Sequence, residues 1–544
     1  MWLRILLVFC LYGIFCLPPY PAFGNEISPA TDSTCLQCHA AKQTGFSSAH
    51  DFAPINCVAC HAGNNQAVAQ DKSHDGLIAF PGELANAHRA CGTCHAERVA
   101  SVAENLMHSG KGIVEVTRRL VDGNAGRDDS VNFQSLGHGV ADSMLRKLCA
   151  SCHLGQAKTK HGLDVMRDRG GGCLACHVND YPEGAHPALM TRVSDGRCFG
   201  CHSRSGRISL SYTGLAEVDT PGSGDRLRLR DGRPVEQKAA DVHYRAGMAC
   251  IDCHTSVGLM GSSVDASHQR DAVDIECSDC HDNRQQRTSL TGWPAELASM
   301  VRHIPFAVND YTPFLTTRKN NTPLWHIELR GDGAWLHTKN TGLRLKIPEF
   351  DPASHPNDDN HERLTCATCH SQWAPQCFGC HMEYDPDSSQ WDHVERAVTA
   401  GRWNERRWDI RNEPGTLGVN DDGRIEVFVP GMIMRIAHPD RDGEDFLRVF
   451  APLSPHTTGK PRSCESCHRS GVALGLGEGE FTERDGELHF QPAGDLLEDG
   501  LPADAWTNLE RSLGGDTPVP GHRPLSRDEM KAIIDSFVTR DLQE

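Results

Sequence analysis

The sequence of 544 residues has few of the side chains that build an ordinary hydrophobic interior. Aromatic residues make up 6% of it, and the whole apolar set reaches 38%, which is low for so long a chain. The length corresponds to about two to four ordinary domains. Because the chain is long and poor in core-forming residues, we expect a non-protein group to supply part of its interior.

Positive charge is also scarce. The chain has 54 Lys and Arg against 72 Asp and Glu, and its formal net charge is −18. A basic patch is the usual electrostatic mark of a protein that binds nucleic acid, so we expect no nucleic-acid partner. The acidic balance is compatible with a soluble protein that meets basic or small-molecule partners.

Long apolar runs are absent apart from one near the start. We interpret residues 1–24 as a secretory signal peptide, because basic Arg4 is followed by an apolar run of about thirteen residues and then by small residues at Ala22 and Gly24. The alternative is an uncleaved membrane anchor, for which this run is short. We therefore predict an exported protein, periplasmic or extracellular, with no stable membrane span once the signal is removed.

Cysteine, in contrast, is abundant, with 24 residues. Apart from Cys10 and Cys16 in the apolar run, every cysteine belongs to a C-x-x-C pair that runs directly into a histidine. We number these eleven motifs in chain order. They are Cys35-Cys38-His39, Cys57-Cys60-His61, Cys91-Cys94-His95, Cys149-Cys152-His153, Cys173-Cys176-His177, Cys198-Cys201-His202, Cys250-Cys253-His254, Cys277-Cys280-His281, Cys366-Cys369-His370, Cys377-Cys380-His381 and Cys464-Cys467-His468.

The spacing C-x-x-C-H is that of covalent attachment of c-type haem. Two thiols add to the two vinyl groups of one porphyrin, and the next residue places an imidazole under the iron. Zinc sites do not require a histidine next to the cysteine pair, and disulfides require no histidine at all. The eleven motifs therefore predict eleven bound haem c groups, with the motif cysteines as attachment points and the motif histidines as proximal iron ligands.

On these motifs the segment from Cys35 to His468 resembles the multihaem c-type cytochromes of bacterial and archaeal respiration. The segments after the first and third motifs, which end at His50 and His108, resemble the group of hydroxylamine oxidoreductase, octahaem tetrathionate reductase and cytochrome c554. The resemblance implies short helices and loops wrapped round a haem chain, with small β insertions. It also implies that many irons have a second histidine ligand.

Nineteen histidines lie outside the motifs, which is more than eleven irons require. In a helix, His50 would lie about 16 Å beyond His39 and His108 about 20 Å beyond His95, so each is expected to reach a neighbouring haem. Met107 is a rival of His108. The candidates for distal iron ligands are His50, His74, His88, His108, His138, His161, His186, His243, His268, His361, His393 and His456.

Some of these candidates carry a more specific expectation. Four of them, His88, His243, His268 and His361, precede a motif by a short tether. His456 is the nearest in sequence to the last motif, which it is expected to serve. Further histidines lie in motif-poor segments, and part of this set is expected to be ordinary surface residues: His303, His326, His337, His355, His438, His489 and His522.

The density of motifs divides the chain. We predict an eight-haem module at 25–290, a haem-free insertion containing β-structure at 291–365, a di-haem segment at 366–381, a second such insertion at 382–463, and the last haem with a C-terminal cap and helix at 464–544. Porphyrins are expected to form the core of the first module, because it is too dense in motifs for a conventional one.

Local patterns add details within the motif-poor segments. Alternating runs on either side of Gly331–Gly333 predict a hairpin, to which Leu343–Ile347 adds a third strand. The stretches IEVFV and MIMRIAH predict strands, and a hairpin is expected near Leu488–Phe490. The final helix is expected to begin with Ser526 as its N-cap and Glu529 three residues later.

Closely spaced haems whose axial positions are filled transfer single electrons. We expect an exported undecahaem cytochrome that conducts electrons in anaerobic or extracellular respiration, with no catalytic residue. Its partners would be redox proteins; an extracellular metal oxide acceptor and self-assembly into a filament stay open. The alternative is a multihaem reductase acting on a small oxyanion or a nitrogen or sulfur compound at one haem with an open position. The sequence lacks the C-x-x-C-K variant of many pentahaem nitrite reductases and the lipoprotein cysteine and non-haem cysteine pair of the outer-membrane metal reductases.

Overall fold

A computed structural model describes the chain at residues 34–39, 56–123, 131–157, 169–178, 186–204, 206–219, 227–261, 266–282, 286–355, 361–453, 456–485, 487–511, 514–517 and 519–541. The predicted signal peptide, His50 and His161 lie outside the described residues. No helix among those described is both long and apolar enough to cross a membrane.

Most helices are short, and many of them coincide with a motif. The α-helices are Cys35–Cys38, Cys57–His61, Gln70–Ser73, Leu84–Ala87, Gly92–Glu104, Leu106–Ser109, Lys111–Val121, Val140–Met144, Leu174–His177, Asp195–His202, Ile208–Thr213, Val242–Arg245, Cys250–Cys253, Ser256–Met260, Gln269–Ala272, Cys277–His281, Cys366–His370, Glu465–His468 and Arg527–Asp541. A π-helix covers Leu145–Cys149, and 3₁₀-helices cover Phe133–Ser135, Leu290–Gly292, Ala295–His303 and Pro352–Ser354.

Local chemistry explains where several of these helices begin and end. Asn56 precedes the second motif and accepts a hydrogen bond at its side chain from the Ala59 amide, 3.1 Å away, as an N-cap does. Gly110 has φ +63° and ends the helix Leu106–Ser109. A Cβ atom at this glycine would lie 2.0 Å from the ring of Phe133, so both the turn and the packing require glycine.

The predicted hairpins are present. Strand Ile327–Arg330 pairs antiparallel with Gly333–His337, which pairs with Arg344–Lys346 as the expected third strand. Strands Gly479–Arg484 and Glu487–Pro492 form the hairpin expected near Leu488–Phe490. Smaller pairings join Leu215–Glu217 and Leu227–Arg228 to Pro234–Gln237, and Arg287–Thr288 to Phe314–Leu315.

A six-stranded sheet dominates the second half of the chain and is larger than the small β insertions expected from the sequence. Its strand order is Ala397–Glu413, Ala374–Asp392, Ile425–Ala437, Thr416–Val419 and Arg523–Pro524, and Glu444–Pro452 also pairs with Ile425–Ala437. Ile425–Ala437 contains both stretches predicted as separate strands. Its end runs parallel to Ala374–Asp392, while the other pairings are antiparallel.

Aromatic packing stabilises this sheet from the C-terminal side. Trp506, Phe428 and Phe450 are fully buried, and the rings of Phe450 and Trp506 stack with centroids 5.2 Å apart.

The final helix begins with the predicted capping box. The Ser526 amide donates to the Glu529 carboxylate at 2.7 Å, and the Glu529 amide donates to the Ser526 hydroxyl at 3.2 Å.

Candidate functional site

The motif cysteines are held by single helical turns in most of the eleven motifs. In motif nine, for example, the helix Cys366–His370 places Cys366 and Cys369 three residues apart on one turn, with His370 at its end. Residues three apart on an α-helix share a face. Two thiols on one side and an adjacent imidazole are the arrangement that covalent attachment of one porphyrin requires.

The motif histidines have a common second feature, which is a hydrogen bond from Nδ1 to a main-chain carbonyl. This contact is present in six motifs: His61 to Ile78, His153 to Ala150, His177 to Met190, His281 to Pro348, His370 to Gly459 and His468 to Ile533. A proton on Nδ1 leaves Nε2 as the lone-pair nitrogen. This is how histidines that bind metals are oriented in proteins.

Six motif histidines lie opposite a second histidine from elsewhere in the chain. The ring pairs, with centroid distances, are His39 and His74 (6.1 Å), His61 and His186 (5.9 Å), His281 and His243 (6.2 Å), His254 and His456 (6.2 Å), His370 and His355 (6.2 Å), and His468 and His361 (6.1 Å). Each pair contains one motif histidine and one histidine outside the motifs.

The common separation has a simple geometric meaning. An imidazole nitrogen binds a metal at about 2.0 Å and lies about 1.1 Å from its ring centre, so two rings on opposite sides of one metal have centres roughly 6.2 Å apart. The six observed separations fall within 0.3 Å of that value, between 5.9 and 6.2 Å. The directly stacked rings of Phe450 and Trp506 are closer, with centroids 5.2 Å apart.

The pairing differs from the sequence expectation at four histidines, of which His243 precedes motif seven but lies beside His281 of motif eight. His456 was expected at the last motif but lies beside His254 of motif seven, while His361 takes the position beside His468. His355 was not among the candidates, and the structure places it beside His370. Its Nδ1 donates to the Asp351 carbonyl at 2.8 Å, which matches the pattern of the motif histidines. Proximity along the chain was a poor guide because strands and loops separate neighbours in sequence.

Motif four has two candidate partners rather than one. His108 and His393 both lie close to His153, and each has a buried Nδ1 without a hydrogen-bond partner among the described residues. His108 is therefore beside a neighbouring motif and not beside His95, as helix geometry predicted. Phe133 packs on His153 with ring centroids 5.0 Å apart. Burial lowers the pKa of His153 to about 4, so its imidazole is neutral.

The remaining candidates have no such position within the described part of the chain. His88 and His138 are exposed, and His268 caps the helix Gln269–Ala272 and lies near His522. None of His88, His138 and His268 forms a described ring pair with a motif histidine. The histidines of motifs three, five, six and ten also lack a described ring pair, and His50 and His161, which are outside the described residues, remain candidates for them.

A continuous cavity of about 4070 Å³ connects the motifs. Residues from motifs two to ten line it. A pocket for one drug-sized ligand is roughly 300–1,000 Å³, so this cavity has room for several large cofactors. Arg169, which lines the cavity, has a buried Nε without a described hydrogen-bond partner, and so has Arg462 at Nη1 next to motif nine. Such guanidinium groups are suited to the propionate carboxylates of haem.

Motif ten does not share this geometry. Cys377 and Cys380 lie in the strand Ala374–Asp392, where three residues span about 10 Å instead of forming one helical turn. Cys377 lines the cavity, whereas Cys380 packs with Met382 in the hydrophobic cluster behind the sheet. His381 hydrogen-bonds through Nε2 to Glu444 at 3.0 Å. In this conformation the two thiols and the imidazole do not fit one porphyrin, which departs from the predicted di-haem segment at 366–381.

Comparison with family models, with curated proteins and with solved structures finds no match to this chain. The resemblance to multihaem cytochromes therefore stays a prediction from the motifs. The residues present fit a covalently bound haem at motifs one, two, seven, eight, nine and eleven, where the paired cysteines are joined by an opposed pair of histidines. They do not fit one at motif ten.

Proposed function

We propose that this chain is an exported multihaem c-type cytochrome that conducts electrons through closely connected sites. The observation that carries the proposal is the set of six histidine pairs at 5.9–6.2 Å, each joining a motif histidine to one from elsewhere. Haem c, when bound, supplies reversible one-electron chemistry at its iron. We assign it to motifs one to nine and to motif eleven.

The chain's own residues would hold and adjust these groups. The motif cysteines would provide the covalent links. In the six motifs where Nδ1 donates to a main-chain carbonyl, that hydrogen bond fixes the orientation of the motif imidazole. The second histidine of each pair would be the other ligand of the iron and would keep water and small molecules away from it. Such filled positions favour electron transfer over substrate binding, so a reductase would require one of the motifs without a described histidine pair.

Absorption and electron paramagnetic resonance spectroscopy of the purified, matured protein test this function. We expect the alkaline pyridine spectrum of c-type haem and mainly low-spin ferric signals at low temperature. A colourless protein with the mass of the bare polypeptide would overturn the proposal. A strong high-spin signal that responds to nitrite, hydroxylamine or tetrathionate would instead favour the multihaem reductase.

A further inference from the structure

We infer that motif six is a three-way junction, so that the conduit proposed above is branched and has three ends. This inference rests on the proposed function and adds the spatial order of the sites, which sequence order does not give. It starts from the helix Asp195–His202, whose one turn carries both Cys198 and Cys201. That helix touches three other motifs.

The first contact is with motif seven. The Cys250 amide donates a hydrogen bond to the Asp195 carboxylate at 2.9 Å, and Asp195 is the first residue of the helix that carries motif six. The helices Asp195–His202 and Cys250–Cys253 pack against each other. The thiols of Cys198 and Cys250 lie within hydrogen-bonding reach. Motifs six and seven are therefore direct neighbours.

The second contact is with motif four. The thiol of Cys201 interacts with that of Cys152. Arg169 donates from Nη1 to the Cys152 sulfur at 3.0 Å and to the Ser151 hydroxyl at 3.1 Å, and its charge also reaches Cys201. The Arg169 guanidinium thus lies between motifs four and six. These two motifs are neighbours in space although motif five separates them in sequence.

The third contact is with motif five. Helix Leu174–His177 packs against helix Asp195–His202, and Cys176 lies near Cys198. The contacts at motif six consequently point in three directions, toward motifs four, five and seven. A linear chain of sites allows only two neighbours for each member, so this arrangement requires a branch.

The first arm leads from motif five toward the start of the chain. The thiols of Cys173 and Cys91 interact, which joins motif five to motif three, and Cys60 of motif two lies near Cys91. Motif one is attached by a hydrogen bond from the Thr34 hydroxyl to the Ala67 carbonyl at 3.0 Å. We call this set, motifs five, three, two and one, the N-terminal arm.

The second arm leads from motif seven toward the end of the chain. Cys253 lies near Cys280 of motif eight, and the thiol of Cys277 interacts with that of Cys366 in motif nine. The Arg462 amide, just before motif eleven, donates to the Cys369 carbonyl at 2.8 Å. We call motifs seven, eight, nine and eleven the C-terminal arm.

The third arm is short and consists of motif four. Motif four is joined to the strand Ala397–Glu413 by Lys147, two residues before Cys149. This lysine donates to the Thr399 hydroxyl at 2.8 Å and to the Gly401 carbonyl at 2.8 Å. The neighbouring Val398 has 65% of its surface exposed. Electrons would therefore have a third point of exchange beside residues 397–401, in addition to the ends of the two longer arms.

Single-molecule conductance between pairs of surface anchors tests this order in the matured full-length protein. One exposed residue near each end becomes an anchor for a gold electrode: Val68→Cys for the N-terminal arm, Lys531→Cys for the C-terminal arm and Val398→Cys for the third arm. Each anchor pair is then measured after removal of one motif. The motif variants are Cys198→Ala/Cys201→Ala, Cys149→Ala/Cys152→Ala and Cys173→Ala/Cys176→Ala.

A junction gives a specific pattern. Loss of motif six should reduce the conductance of the two anchor pairs that include the C-terminal arm to the background measured without protein, because motif seven reaches the other motifs through it. The pair of the N-terminal and third arms keeps the direct contact of motifs four and five, where the Gly172 amide donates to the Leu154 carbonyl at 2.9 Å. Loss of motif four should interrupt only the two pairs that include the third arm, and loss of motif five only the two that include the N-terminal arm. Mass and circular dichroism confirm that each variant lacks one haem and is folded.

Two results would overturn the inference. If loss of motif four interrupts conductance between the N-terminal and C-terminal anchors, the sites follow sequence order. If loss of motif six leaves the C-terminal anchor conducting to either of the other two, motif six is no junction; should that variant fail to fold, the motif four and motif five variants still decide between the two orders. A parent protein without haem absorption would instead refute the proposed function itself.

Discussion

His361 lies beside His468 of the last motif, with ring centroids 6.1 Å apart, although motif nine follows it directly in the chain. The neighbouring His355 lies 6.2 Å from His370 and serves motif nine in its place. Two histidines that are close in sequence thus lie beside two different motifs. The histidine that lies beside each of these motif histidines is therefore determined by the folded structure and not by distance along the sequence.

Replacing His355 with Leu should open the second axial position at motif nine. We expect one low-spin ferric signal to be replaced by a high-spin signal in the electron paramagnetic resonance spectrum, with recovery when imidazole is added. The matched control is His489→Leu, which changes an exposed histidine in the hairpin Gly479–Pro492. An unchanged spectrum for the His355 variant would show that the pair at motif nine binds no shared metal.

The number of haem groups should be ten. Cys377 and Cys380 lie in the extended strand Ala374–Asp392 and not on a helical turn, and His381 is hydrogen-bonded to Glu444, so this segment does not present two thiols and an imidazole to one porphyrin. Intact mass spectrometry of the matured protein should therefore show ten increments, and Cys377→Ser/Cys380→Ser should keep all ten. The control Cys366→Ser/Cys369→Ser should lose one. Eleven increments, with one lost in the motif ten variant, would mean that the strand is rearranged around a cofactor.

A buried ion pair joins motif four to the long hairpin of the sheet. Arg146 donates from Nε to Asp392 at 2.8 Å, with 5% and 3% of their side chains exposed, and from Nη2 to the more exposed Glu395 at 2.6 Å. Asp392→Asn leaves the buried guanidinium without its main counter-charge, and we expect a loss of about 3 kcal/mol in the free energy of unfolding. Urea denaturation followed by circular dichroism measures it.

The control for this ion pair is the exposed pair of Arg527 and Glu487, whose side chains are 53% and 65% exposed. Glu487→Gln should change the free energy of unfolding by less than about 1 kcal/mol, because solvent screens such pairs. A similar loss in both variants would contradict the assignment of a special role to the buried pair.

Glu529 should make the stability of the final helix depend on pH. Burial alone would raise its pKa, but Arg523 and the hydrogen bonds from Ser526 and Arg363 outweigh it and lower the pKa to about 2. In the unfolded chain a glutamate titrates near 4.3. The stabilisation is therefore present above about pH 4.3 and is lost as the pH falls toward about 2. Glu529→Gln should be less stable at neutral pH and show a shallower decline in acid.

The measurement for Glu529 is the urea midpoint between pH 7 and 3 for the parent and for Glu529→Gln. The control Glu510→Gln alters an exposed carboxylate away from the helix and should follow the parent curve. Because His468 donates to the Ile533 carbonyl on this helix, the acid transition should also perturb the absorption of motif eleven. Parallel curves for all three proteins would show that the capping box does not govern this transition.

Features with local causes could be predicted from the sequence. The hairpin at Ile327–His337 follows from alternation around two glycines, and the capping box at Ser526 and Glu529 from residue types at fixed spacing. The motifs themselves defined the candidate site. The histidine partners could not be predicted from local patterns, since His456 lies beside His254 of motif seven although the two are far apart in sequence.

The size of the sheet and the conformation of motif ten could also not be predicted from local sequence patterns. Cys377–His381 has the same sequence as motif six, CFGCH. In motif ten, however, this pentapeptide is part of a strand and pairs with residues 406–410 of the next strand. The helix Asp195–His202 holds the identical pentapeptide in the other case. Long-range strand pairing therefore overrides the local preference of these five residues.

The position of His456 beside His254 has a consequence for how the chain can be divided. The segment with eight motifs contains His254, whereas His456 follows the strand Glu444–Pro452. Two hydrogen bonds cross the same boundary: the Val242 amide donates to the Thr458 carbonyl, and the Trp373 indole donates to the Ala239 carbonyl. A truncated protein that ends near residue 290 would therefore lack His456, the histidine beside motif seven. For the exported cytochrome proposed above, the histidine pair at motif seven would form only after the last quarter of the chain has crossed the membrane.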